Sequence, residues 1–215
     1  ETSTPIKKIK AYLSCHERDR VEDQDFIFAK KSNFSWEKIY DQLLPYFDNP
    51  LSRLEQVFLA DYNGKLLYNF NPINSRIAEN FNIQLITPLL NDELINHALK
   101  IPTEFKYNES KNIGKLPLRH ILSKNNAESL TTNQKLGFNV DPINLWNNFG
   151  HRICKEFLES SRISKDGWIN NEWITKYIDS TNLNIKYINK FFGLLAFEIW
   201  YRIFITKDMN PNEKL

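Results

Sequence analysis

The chain has 215 residues, of which 41% are hydrophobic, and a formal net charge of +2. That length can bury the core of one domain. A charge so near balance, with Lys and Arg scattered along the chain, argues against nucleic acid or an anionic membrane surface as a partner.

Residues 1–34 are polar and charged. HERDRVEDQD, from His16 to Asp25, alternates in sign without a helical apolar face. The stretch is therefore expected to be a poorly packed lead-in. Cys15, His16 and Glu17 stand side by side, which is not the spacing of metal ligands, so no metal site is expected there.

From Phe34 onward helical signals follow one another, and residues 35–207 are expected to form one helical domain with a tail at 208–215. Asn49 and Pro50 read as a cap and first-turn proline, followed by Leu51, Leu54, Val57 and Phe58 at helical spacing until Gly64. The run IQLITPLL, Ile83 to Leu90, is expected to cross the interior as an extended segment. Asn91 is placed to cap a helix carrying Leu94, Ile95, Ala98 and Leu99, ended by Pro102. Asp141 and Pro142 open another, with Leu145, Trp146, Phe149, Ile153, Phe157 and Leu158 on its apolar side.

Asn170 or Asn171 precedes a short helix through Trp173 and Tyr177, and Asn184 precedes the most apolar one, Ile185 to about Thr206. No apolar run reaches the ~20 residues that span a bilayer. The best, Phe191 to Ile205, is interrupted by Glu198 and Arg202 and reads as a buried helix. Gly is scarce and no hairpin dipeptide lies between alternating runs, so the fold class is all-α, or the helical part of something larger. Cys15 and Cys154 lie in unlike contexts, which signals no disulfide and fits a reduced, cytoplasmic protein.

Several motifs then stand in a meaningful order. ITPLLNDELINHALKIP (Ile86 to Pro102) resembles the asparagine synthetase segment that reads Glu-Val-Arg-Val-Pro-Phe-Leu-Asp and runs on to an Ala-Leu-x-Leu/Ile-Pro ending. GKLPLR (Gly114 to Arg119) is similar to that family's Lys-x-x-Leu-Arg, and KLGFNVDPINLW (Lys135 to Trp146) to its Lys-x-Gly-Phe-x-x-Pro-x-x-x-Trp. Asp61 and Arg76 keep the spacing of two further family residues, and DGWINNEWITKYI and FEIWYRIF resemble its closing helices. The likeness runs from about Ser35 to Lys207.

The resemblance implies a ligase in which ATP adenylates a carboxylate, aspartate being the expected one, and ammonia from glutamine displaces AMP to give an amide. It places this chain as the helical C-terminal portion of an α/β adenine-nucleotide α-hydrolase-like synthetase domain. The parallel sheet and the Ser-Gly-Gly-x-Asp-Ser pyrophosphate loop are missing from these residues, as is any Walker loop, since Gly114-Lys115 is followed by Leu116. The chain opens on Glu1, which fits a fragment. ATP and Mg2+ are expected only with a nucleotide-binding half, in the same or a separate chain, and this chain alone is expected to be inactive. A glutaminase domain is a further expected partner, a homodimer is compatible, and nucleic acid and membrane are not expected.

By the same resemblance, Lys115 is the lysine that faces the acyl-adenylate and departing pyrophosphate, where a fixed cation can contribute ~3–4 kcal/mol to catalysis. Arg119 lies one helical turn on and is a candidate for the same phosphate side or for a structural bond. Lys135 is a second candidate phosphate-binding cation. Phe138, Pro142 and Trp146 read as packing, and Asp61 and Arg76 as an internal ion pair or scaffold. Counting back from Pro88, the family's glutamate falls on Gln84, its arginine on Ile86 and its closing aspartate on Asn91, while the aspartate before its upstream Arg is Ser75. An amide cannot serve as a general base. These departures point to another nucleophile or substrate, as in related ligases that close lactam rings, to another base, or to a helical scaffold without catalysis.

Overall fold

The computed structural model describes residues 4–15, 20–131 and 140–212. The chain forms two compact units, one from residues 1–42 and 138–215 and the other from residues 43–137. Both are helical, and the strand content described is a single two-stranded ribbon.

In the first unit, α1 (Pro5–Ser14) is capped by Thr4, whose hydroxyl accepts from the Lys7 N–H at 3.4 Å. After α2 (Gln24–Ile27), α3 (Trp36–Phe47) carries the chain into the second unit. The first unit resumes at α8 (Pro142–Leu145), which passes through a more widely wound turn, Trp146–Gly150, into α9 (His151–Glu159). Then come α10 (Arg162–Lys165), α11 (Asn171–Tyr177) and α12 (Ile185–Tyr201), the last extended by Arg202–Thr206.

Trp146, Leu158, Trp173, Ile174, Ile188 and Phe191 are buried together. The expected caps hold: Asp141 accepts from the Ile143 and Asn144 N–H groups, Asn170 from Glu172 and Asn184 from Lys186. Trp146 packs as expected, whereas Phe149 is 45% exposed. No described helix is long and apolar enough to cross a membrane. Cys15 and Cys154 are both free, and burial pushes the Cys154 thiol up to about 12.

The described residues of the lead-in are not poorly packed. Ile9 and Ile27 are fully buried and Val21 is 3% exposed. Phe28 bridges Ile169, the Asn170 N–H donates to the Ile27 carbonyl at 2.8 Å, and the Ala29 N–H donates to Trp168 at 3.0 Å. Asp23 accepts from the Trp173 indole at 3.1 Å and the Tyr177 hydroxyl at 2.7 Å. Three isolated aliphatic residues carry no period, and their partners lie far along the chain, so composition alone misjudges the segment.

In the second unit, α4 (Arg53–Ala60) widens at Asp61–Phe70 and continues as α5 (Asn71–Asn80). Its cap is Ser52 rather than Asn49: Ser52 and Glu55 form a reciprocal capping box, which satisfies two backbone donors at once. Gly64 does not end the helix, which runs on through it. Residues 83–87 have no regular structure and lie on the surface rather than inside, with Ile86 71% exposed.

Asn91 caps α6 (Asp92–Lys100), accepting from the Leu94 N–H at 2.8 Å. A tight turn, Thr103–Phe105, leads to β1 (Tyr107–Asn108), which pairs with β2 (Ile113–Gly114), and α7 (Leu116–Lys124) follows. Among the described residues of this unit, those buried are Phe47, Gln56 and Ala60.

Candidate functional site

Lys115 joins β2 to α7 and is exposed. Its backbone lies in the left-handed region, φ 59° and ψ 35°, a conformation that disfavours residues with a Cβ by about 1–2 kcal/mol. Seven described non-Gly residues have positive φ; five are Asn, which tolerates it through its short amide, and the others are Lys115 and Lys207. Lys207 follows the end of the terminal helix, where a left-handed residue is the usual stop. Lys115 instead stands at a helix start, where an extended Ser, Thr, Asp or Asn is the stabilising choice. It makes no side-chain cap, and its cation sits at the positive end of the helix dipole.

A frame of hydrogen bonds fixes this conformation. Tyr107 pairs with Gly114 across the ribbon, and the Leu116 N–H donates to the Lys106 carbonyl at 3.2 Å. The Arg119 N–H donates to the Lys115 carbonyl at 3.0 Å, while its Nε donates to the Gly114 carbonyl at 3.0 Å. Lys115 is thus bracketed on both sides. Pro117, near the helix start, removes one donor that would otherwise lack a partner. The ribbon holding the frame has a turn signal that the helical reading overlooked: the Asn108 side chain accepts from Ser110 and from the Lys111 N–H, and Asn112 is left-handed.

The other candidates fall as follows. Arg119 is half-buried and its side chain turns back onto the backbone of its own loop. Gln84 and Ile86 lie exposed in the irregular 83–87 stretch, and Asn91 performs the helix-capping task that an aspartate performs equally well. No polar contact among the described residues joins Gln84 to Lys115 or Arg119. Arg76 is not internal: it pairs with Glu79 at 2.8 Å with both side chains mostly exposed. Lys135 and Phe138 lie outside the described residues. No group of three or more His, Cys, Asp or Glu among the described residues is placed to hold a metal ion.

A family model described as asparagine synthase matches residues 7–202. No curated protein and no solved structure matches the chain. The matched span begins within the lead-in and covers both units, and the helical architecture agrees with that family's helical portion. The chain belongs to the asparagine synthase family.

Proposed function

We propose that this chain supplies the helical wall and the fixed cation, Lys115, of an ATP-dependent amide ligase in the cytoplasm. A carboxylate oxygen attacks the α-phosphorus of ATP and pyrophosphate leaves. A nitrogen nucleophile then attacks the acyl carbon, AMP departs with the electron pair of the broken C–O bond, and the nitrogen loses a proton. Aspartate and glutamine-derived ammonia are the substrate and nitrogen source that the family suggests. The ammonium of Lys115 opposes the negative charge that collects on the leaving phosphate, a role for which a prepositioned cation is worth more than a mobile one. Arg119 acts on the loop rather than on phosphate. ATP and its metal are held by a nucleotide-binding half.

The observation that carries this reading is the position of Lys115. One residue combines a left-handed backbone, an absent helix cap and a cation at the wrong end of a dipole. Local departures of this kind collect where function demands them. The test is pyrophosphate release by the complete ligase, this chain with its nucleotide-binding half, on ATP and aspartate. Substitution Lys115→Ala lowers kcat about 100-fold or more; an unchanged rate overturns the assignment and leaves a helical scaffold.

Gln84, in place of a carboxylate, favours a second reading: a ligase whose substrate carries its own amine and closes a ring. That enzyme forms product without glutamine or ammonia, whereas the first needs one of them.

A further inference from the structure

We infer that Lys106 is a positioning residue that holds Lys115 in its left-handed conformation. The inference rests on the reading of Lys115 given above. The carbonyl of Lys106 receives the Leu116 N–H at 3.2 Å, immediately after Lys115, and its neighbour Tyr107 pairs with Gly114, immediately before it. Both covalent neighbours of Lys115 are therefore tied to one dipeptide, Lys106-Tyr107.

That dipeptide is itself held by the Lys106 side chain. Its Nζ donates to the Ala98 carbonyl at 3.2 Å, in the last turn of α6, where a cation suits both the unsatisfied carbonyls and the dipole. The same ammonium lies 5.7 Å from the centre of the Phe58 ring on α4. Glu55, one turn earlier on α4, feels it as well. The Ser52 hydroxyl and N–H chiefly hold the Glu55 carboxyl below the usual range, and the charge of Lys106 adds to them. The backbone of Lys106 is pinned too, its N–H donating to the Thr103 carbonyl at 2.9 Å. Its side chain thus lashes the ribbon to α4 and α6, and its carbonyl passes that restraint to Leu116.

Nothing in this arrangement brings Lys106 to a substrate, since its ammonium is turned onto Ala98 and Phe58. Its effect on the reaction passes through Lys115.

The test uses the complete ligase with three variants: Lys106→Met, which keeps the stem but loses the donors, Lys106→Arg, which restores a donor and the charge, and Lys115→Ala as reference. Lys106→Met is expected to lower kcat about tenfold while KM for ATP moves less than about twofold, and Lys106→Arg to recover most of the rate. Residue-resolved hydrogen exchange is expected to find the Leu116 amide protected in the unaltered protein, although first-turn helix amides usually exchange freely. That protection should fall about tenfold in Lys106→Met.

If Lys115→Ala slows the reaction and Lys106→Met, folded, does not, the inference is overturned. An unprotected Leu116 amide in the unaltered protein overturns it as well, whether or not Lys106→Met folds. If Lys115→Ala leaves the rate unchanged, the functional reading of Lys115 fails instead, and Leu116 protection still decides whether Lys106 holds the loop.

Discussion

The carboxylate of Glu198 lies 2.5 Å from the Arg202 guanidinium, one helical turn on, and is wholly shielded from solvent. It also accepts from the Ser161 hydroxyl at 2.9 Å and from the Arg162 and Ile163 N–H groups at 2.8 and 3.0 Å. The charge that interrupts the most apolar helix in the sequence thus satisfies two first-turn N–H groups of α10, beside the cap Ser161. Removing one partner of a buried pair destabilises by about 3–5 kcal/mol because the other charge is left uncompensated. Arg202→Ala is expected to fall in that range, and so is Glu198→Gln, whose amide NH2 would face donors where the carboxylate accepts and would leave Arg202 unpaired. Urea unfolding followed by near-ultraviolet circular dichroism checks both.

Asp23 makes the first unit sensitive to acid. Burial raises its pKa, but hydrogen bonds from the Tyr177 hydroxyl, the Trp173 indole and its own backbone, with the nearby charge of Lys176, together hold the carboxyl below its ordinary value of 3.8. A depressed folded pKa contributes stability that is present above the unfolded value and is lost as pH falls through the folded one. The unfolding midpoint is therefore expected to drop as pH falls below about 4. Asp23→Asn should start lower at neutral pH and show a shallower acid limb. Equal slopes in the two proteins would show that Asp23 does not set the acid limb.

Lys115→Gly should make the second unit more stable while disabling the ligase. Relief of the left-handed backbone is worth about 1–2 kcal/mol, offset by the ~0.5–1 kcal/mol of chain entropy that glycine loses on folding. A net gain of up to about 1.5 kcal/mol is expected, read as a rise in the unfolding temperature beside a loss of pyrophosphate release. Gly114→Ala should do neither, because a Cβ there meets only Tyr107 Cδ2 at 3.6 Å, an ordinary contact.

Two glycines of the first unit respond in opposite directions. A Cβ at Gly150 would stand 2.7 Å from the Phe192 ring and 3.1 Å from the Leu145 carbonyl, so Gly150→Ala is expected to cost about 1–3 kcal/mol. At Gly193, inside α12, a Cβ meets nothing within 4 Å, and Gly193→Ala should stabilise by about 0.5–1 kcal/mol. Thermal unfolding of the two variants side by side tests the contrast.

What the sequence made legible was local. Asn91, Asp141, Asn170 and Asn184 announce their helices because a cap acts within three residues of itself. Ser52 displaces Asn49 by the same local rule, since the Glu55 three residues on completes a reciprocal pair that Asn49 lacks. Long-range features were hidden. Val21 and Ile27 offer no period, and only the partners Trp168, Ile169 and Trp173 reveal why they are inside. At the candidate site the resemblance singled out Lys115 by type, but nothing in GKLPLR announces a left-handed lysine. That conformation is imposed from Lys106 and Tyr107, across a ribbon whose turn residues were present in the sequence and outvoted by the helical pattern.

The pairing of Asp23 with Trp173 also sets a clock. The two residues are 150 positions apart, and ribosomes add roughly 5–20 residues per second. The lead-in therefore waits about 8–30 s after its own synthesis before its aromatic partners emerge. Throughout that interval Val21 and Ile27 are bare aliphatic side chains on an unfinished chain. A unit assembled from both ends of its sequence can close only after the intervening segment has been made.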